Sequence, residues 1–507
     1  MSVDLFLRNT AARLPDKKAI FFGDTEITYG QFDQEVDNLA QGFIDLGLGY
    51  QQRVSLLLAN SPDFIRAYFA ITRAGGTVIP LNPLFKGEEI KYILNDAEVV
   101  FLITTQAFLP LVESVWGQIP ALKKIIVIGG ESDEDVISWD DLISIPSAPV
   151  KVAINPEDIA ACLYTSGTTG KPKGALLSHS NLMFDAAAVV NHVEMNPKDN
   201  HLCVLPLFHS YAQMAAMLCP IYSGGSITVM AQFRPDHVLK EIGKHKVTLF
   251  CGVPAMYAAI LQNSGNTNEI DLSSLRLCFS GGAPMPLEIM HLFEDEYGII
   301  VIEGNGPTET SPVSYANPMS LRKPGSVGTP LEGVKVKIVN ENDQELPPEE
   351  IGEICVQGPN VMKGYLNQPE ATAEAIKDGW FHTGDLGKKD ADGYIYIVDR
   401  KKDMLIVSGL NVYPREVEEC LYQHPKVAEA AVIGIHDSLR GEVPKAFIVL
   451  KPGETAVPKE FSVFCRERLA NFKCPRQVQL LESIPKTATG KIDKKQLREA
   501  ESMGLYK

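Results

Sequence analysis

No two of the nine cysteines stand in a C-x-x-C spacing or a metal-ligand pattern; they lie singly at positions 162, 203, 219, 251, 278, 355, 420, 465 and 474. That excludes a disulfide scaffold and a zinc-ribbon reading, and predicts reduced core thiols in a cytoplasmic setting. Basic residues are in the minority. The chain carries 47 Lys and Arg against 63 Asp and Glu, a formal charge of -16, so a general nucleic-acid or anionic-membrane surface is disfavoured and any anion site must be local. The N-terminal stretch MSVDLFLRNTAARLPDKKA has no uninterrupted apolar core, with Asp4 and Arg8 inside it, and predicts no export. Internal repeats and low-complexity stretches are also missing.

Charge is absent altogether from residues 202–233. The run is long enough to span a bilayer, but Pro206, Pro220, Gly224 and Gly225 break it and His209, Ser210, Gln213 and Ser223 interrupt it, so buried core or an apolar pocket wall is expected. The remaining composition, 45% hydrophobic and 22% charged over 507 residues, is that of a folded chain with a large core.

Short β-branched or apolar runs recur at residues 99–103, 125–128, 159–163, 247–251, 275–280 and 299–303, and several are separated by helix-length stretches such as 181–193. This alternation predicts an α/β fold with largely parallel sheets. Beyond about residue 330 closely spaced strands follow (334–339, 351–358, 392–400), implying a β-rich subdomain. A boundary is expected at 399–402, with strands at 430–436 and 445–450 and a helix near 461–469 in the tail.

YTSGTTGKPKG, starting at Tyr164, is rich in hydroxyls, glycines and lysines, which suits an anionic ligand. It is not a P-loop: Thr165 stands where the first Walker glycine should be, and Pro172 follows Lys171. As a strand, a loop and then a helix starting near Ser180, it would bring backbone N–H groups at Gly167, Gly170 and Gly174 toward a phosphate, with donors from Thr165, Ser166, Thr168, Thr169 and Lys173. A flexible, hydroxyl-rich surface loop is the bland alternative.

Four further motifs decide between them: GNGPTET at 304, HTGD at 382, DRKKDMLIVSGLNVYPREVE at 399 and PKTATGK at 485, together with SPDFIRAYFAITRAGGTVIPLNP at 61–83. In this order the chain resembles, over essentially its whole length, the adenylate-forming superfamily of acyl-CoA synthetases, aryl-CoA ligases, luciferases and peptide-synthetase adenylation domains, and is most similar to fatty-acyl-CoA synthetases. The resemblance implies a large N-terminal domain (1–399) of two α/β subdomains plus a small β-barrel-like subdomain, followed by a small mobile α+β C-terminal domain (400–507). It also implies ATP, Mg²⁺ and CoA as the small molecules used with a carboxylic acid, no nucleic-acid partner, and a possible homodimer.

The implied roles follow motif by motif. Thr308 contacts the α-phosphate and Glu309, with Thr165, helps hold Mg²⁺. The 165–170 loop with Lys173 grips the β- and γ-phosphates. SGGAP at 280 places Gly282, Ala283 and Pro284 along one face of adenine, whose other face is normally covered by an aromatic just before Gly306; here that position is Asn305, which removes a stacking surface. Asp385 and Arg400 are expected at the ribose, Lys402 at the hinge, and Gly409 in a loop that admits the CoA arm after domain rotation. Lys491 bridges carboxylate and α-phosphate. His209 lies where the acyl pocket meets the thiol tunnel; amino-acid-activating relatives carry Asp there, so an amino-acid substrate is disfavoured. Residues 211–219 would wall an apolar acyl chain. A medium- or long-chain fatty acid is the expected substrate, with a carrier-loading adenylation enzyme, an aryl-CoA ligase and a non-catalytic nucleotide-binding relative as alternatives.

Overall fold

A computed structural model describes residues 2–165, 172–263, 270–437 and 439–506. Two large sheets dominate. The first, of eight strands, runs in the order Gly364–Tyr365, Lys173–Ser178, Ile159–Thr165, Thr77–Pro80, Arg53–Leu57, Phe101–Thr105, Lys124–Ile128, Val136–Ser138. From Ile159–Thr165 outward to Val136–Ser138 its pairs are parallel, and the two strands at the other edge are antiparallel.

The second sheet, of nine strands, has at its centre the parallel strands Val301–Asn305, Leu277–Ser280, Leu249–Gly252, Asn200–Cys203 and Ser226–Val229. Their apolar, β-branched composition follows from burial on both faces. One continuous core, from Val3 to Ile395, joins both sheets and the antiparallel subdomain built on Lys335–Val339, Gly352–Gln357 and Trp380–Lys389. Separate cores begin at Leu405 and include Val417, Leu421, Val432 and Phe461. All nine cysteines are buried and free.

The strand-loop-helix expectation around residue 164 is corrected. Lys173–Ser178 is a second strand, antiparallel to Ile159–Thr165 with Tyr164 opposite Gly174, so these two strands pair as a hairpin. Four of the second strand's six residues are buried, which gives the segment a reason to pair. The helix His179–His192 starts only after it. There Ser178 accepts from the Asn181 N–H and the Asn181 side chain accepts in return, a reciprocal cap that stops the strand and begins the helix.

Residues 202–233 fold as a strand, three short helical segments and a second strand rather than one long helix. Met214–Leu218 is a π-helical turn whose residues are all buried. Among the described residues no helix is long and apolar enough to cross a membrane.

Candidate active site

The carboxyl ends of the parallel strands in the nine-stranded sheet open into a cleft of about 790 Å³ that the antiparallel subdomain and the C-terminal tail close from the other side. Strand Val301–Asn305 leads into it and ends at Gly306, where a Cβ would lie 2.3 Å from the Pro312 carbonyl oxygen, so only glycine permits the crossing. The chain then makes the 3₁₀ turn Thr308–Thr310. The Thr308 hydroxyl lies 2.9 Å from that of Ser210. Glu309 is buried, and its Oε1 accepts from the Thr165 hydroxyl at 3.3 Å and the Tyr365 hydroxyl at 2.9 Å. Lys173, directly across the hairpin from Thr165, holds its ammonium 5.2 Å above the Tyr365 ring.

Glu309 Oε2 receives no hydrogen bond from any described residue. Among those residues no group of three or more His, Cys, Asp or Glu side chains is placed to hold a metal by itself. One carboxylate with a hydroxyl beside it suits a small hard cation that keeps water and phosphate oxygens as its other ligands. Mg²⁺ fits this donor set.

Opposite stands a cluster of alternating charge. Asp385 and Arg400 face each other across paired strands, and the Arg400 Nε lies 2.7 Å from Asp385 Oδ1. Burial pushes the Asp385 carboxyl up, against the pull of Arg400 and then Lys491. Lys491 arrives from a tight turn near the C-terminus, where the Thr487 N–H donates to the Lys491 carbonyl at 2.8 Å and the Lys491 N–H to the Thr487 hydroxyl at 3.3 Å. Its stem lies against Gly282, whose φ is +78°; a Cβ there would be 3.2 Å from Lys491 Cε. Burial first, and the Arg400 charge second, bring the Lys491 ammonium down to about 8.

His209 caps the helix Ser210–Gln213, its Nδ1 accepting from the Tyr211 N–H at 3.2 Å. Burial, then the nearby Lys491 charge, holds its pKa at about 3. The imidazole is therefore neutral, and Nδ1 as acceptor leaves the proton on Nε2. Behind it Tyr211 donates to the Phe279 carbonyl at 2.7 Å, and its ring meets that of Phe279 edge-on at 6.0 Å. A Cβ on Gly281 would stand 3.1 Å from Tyr211 Cζ, so this ring backs the floor of the cleft.

Of the residues singled out in the sequence, Thr165, Lys173, His209, Gly282, Asn305, Gly306, Thr308, Glu309, Asp385, Arg400, Lys402 and Lys491 line this one cleft. Ala283 and Pro284 do not. Gly409 is exposed on the turn between Leu405–Val407 and Leu410–Val412, outside the cleft lining. Ser166, Gly167, Thr168, Thr169 and Gly170 lie outside the described residues. Sequence reasoning missed Ser210 and Tyr365. Ser210 had a usable signal, its place beside His209, whereas Tyr365 is 56 positions from Glu309 and stands in none of the motifs.

Residues 7–366 match the model of the AMP-binding enzyme family, and residues 416–491 match that of the AMP-binding enzyme C-terminal domain. The chain is 39% identical to a long-chain-fatty-acid–CoA ligase of Bacillus subtilis strain 168, over 98% of this chain and 94% of the relative. It is 37% identical to a feruloyl-CoA synthase of an Amycolatopsis species, over 96% of each. The anthranilate CoA ligase AuaEII, solved with anthranoyl-AMP, superimposes with a TM-score of 0.93 at 33% identity, over 99% of this chain and 97% of that one. With both domains matched, relatives covered nearly end to end, and one cleft joining residues from both parts, the chain belongs to the AMP-binding enzyme family of adenylate-forming acyl-CoA ligases.

Proposed function

We propose that the protein joins an apolar carboxylic acid to CoA in two steps: acid and ATP give acyl-AMP and pyrophosphate, and the acyl group then passes to the CoA thiol with release of AMP. The observation that carries this reading is Lys491, a cation brought from the C-terminal tail into a cleft floored by Thr308 and Glu309. Two anions, the acid's carboxylate and the α-phosphate, must approach each other for the first step. A fixed positive charge between them lowers that cost.

In this assignment Thr308 holds the α-phosphate, with Ser210 fixing its hydroxyl. Asp385 and Arg400 hold the ribose hydroxyls, and Lys173 and the hairpin loop take the outgoing pyrophosphate. Glu309 and Thr165 hold Mg²⁺, which when bound neutralises phosphate charge. For the second step the C-terminal domain (400–507) turns about Lys402 against the N-terminal domain (1–399), withdrawing Lys491 and bringing the Gly409 turn to the cleft. The separate cores on either side of this junction support that division.

The acid is assigned as a medium- or long-chain fatty acid, because the segment 211–219 is buried and carries no charge, with Tyr211 at the cleft lining and the rest of it in the core behind, and each methylene buried against such a surface contributes about 0.8 kcal/mol. A second reading, an aryl acid, draws on the Tyr211 and Phe279 rings behind the cleft. CoA thioester formation across straight-chain acids from acetate to stearate, with benzoate and ferulate alongside, separates the two. The highest kcat/KM is expected among the longer aliphatic acids; an optimum at an aryl acid selects the second reading. Pyrophosphate exchange without any CoA thioester would instead indicate a carrier-loading enzyme.

A further inference from the structure

The segment 359–366 is bonded to both halves of the phosphate-binding side of the cleft. Toward the 3₁₀ turn, the Met362 N–H donates to the Glu309 carbonyl at 2.8 Å. The wholly buried Asn360 amide donates to the Thr310 and Val313 carbonyls at 3.0 and 3.2 Å, on either side of Ser311, whose φ is +73°. Toward the hairpin, the Lys363 and Leu366 N–H groups donate to the Leu176 and Gly174 carbonyls, each at 2.8 Å, and Tyr365 pairs with Ala175. Two elements far apart in sequence are thereby held in one register.

At the end of this strap Tyr365 faces both: its hydroxyl donates to Glu309 Oε1 and its ring lies under the Lys173 ammonium. We propose that Tyr365 is a positioning residue for the metal-nucleotide complex, fixing the Glu309 carboxylate so that its second oxygen serves the cation, and steadying Lys173 for the phosphates. A carboxylate that accepts two hydroxyls on one oxygen has lost its freedom to rotate.

This inference rests on the adenylation reading, and the test separates the two. ATP binding is measured calorimetrically with Mg²⁺ and again with EDTA, on the wild type, Tyr365→Phe and Tyr365→Leu; the rate of CoA thioester formation from preformed acyl-AMP is measured beside it. Tyr365→Phe keeps the ring and removes only the hydroxyl. It is expected to weaken binding about tenfold in Mg²⁺, with less than about a twofold change in EDTA and no change in the second half-reaction. Tyr365→Leu is expected to weaken binding in EDTA as well, since Lys173 loses its aromatic support. Equal weakening in both buffers for Tyr365→Phe, or no weakening in either, overturns the proposal while leaving the adenylation reading standing. Failure of the wild type to bind ATP overturns both.

Discussion

In its proposed role Lys491 has two requirements in tension: it must be charged to bridge two anions, and it is half-buried beside another cation. With its ammonium near 8 in the free enzyme, the charged fraction falls as pH rises through that value. kcat/KM for acid-dependent pyrophosphate exchange, which reports the free enzyme, should therefore decline above about pH 8, whereas conversion of preformed acyl-AMP to thioester should not. Lys491→Ala should remove the exchange by about a hundredfold or more and spare the thioester step; an equal loss in both would contradict the assigned role. His209, held near 3, should contribute no limb to the profile between pH 5 and 9.

Asn305 lies at the end of its strand opposite Tyr315, within the cleft. No ring occupies that position to cover a purine. Asn305→Tyr should tighten ATP binding about two- to tenfold, the worth of one aromatic contact, as read by titration calorimetry. A collapse of affinity would show that the amide makes a specific bond to the base. The residue was legible as a departure because its neighbours Gly306, Thr308 and Glu309 are so regular. Tyr365 was not legible, since its meaning comes from a partner fixed by tertiary pairing.

At the scale of elements, most of the strands expected from the sequence fall within a residue or two of observed ones, while others, such as Arg53–Leu57, Asn200–Cys203 and Ser226–Val229, were not expected, and the errors have local causes. The strand expected at 99–103 begins at Phe101 because Glu98, with φ of +45°, completes the turn after the preceding helix and the Val99 N–H is tied back to Leu94. The hairpin at 159–178 departs from the expected loop and helix because its second strand, KGALLS, opens on Lys173 and Gly174 at the end of a run rich in Gly, Thr, Lys and Pro, and that opening reads equally as loop. Its anchoring lies elsewhere in the chain: the Tyr164 hydroxyl donates to Asp96 at 2.6 Å and the Tyr92 hydroxyl to the Pro172 carbonyl at 3.2 Å. Tyr164→Phe should loosen this hairpin by about 1–2 kcal/mol, seen as faster amide exchange across 159–178 with the nine-stranded sheet unchanged.

Over the whole molecule, the segments on either side of residues 399–402 are bonded to one another. The Arg415 N–H donates to Asp399 at 2.9 Å and its guanidinium to the Ile397 carbonyl at 2.6 Å, so the first turn of the helix Pro414–Tyr422 is tied to the last strand of the large part. Buried Glu303, pushed up to about 7 by burial, feels the same guanidinium. Arg415→Ala should slow pyrophosphate exchange several-fold, by releasing the arrangement that seats Lys491, without slowing thioester formation. Comparable slowing of both would mean that the contact serves stability alone. The switch in composition leads to an expected boundary at 399–402, but nothing in it points to this bond, whose partners declare themselves only once the helix is docked.

Gly282 supplies the last consequence. The bare backbone there lies against the stem of Lys491, which in the proposed cycle docks for one reaction and leaves for the next, and a single methyl group would meet that stem at 3.2 Å. Gly282→Ala would thus obstruct the visitor rather than the nucleotide. The result should be an enzyme that discharges an acyl-adenylate supplied to it at the wild-type rate and makes its own more slowly, a bias toward one direction produced by one carbon atom.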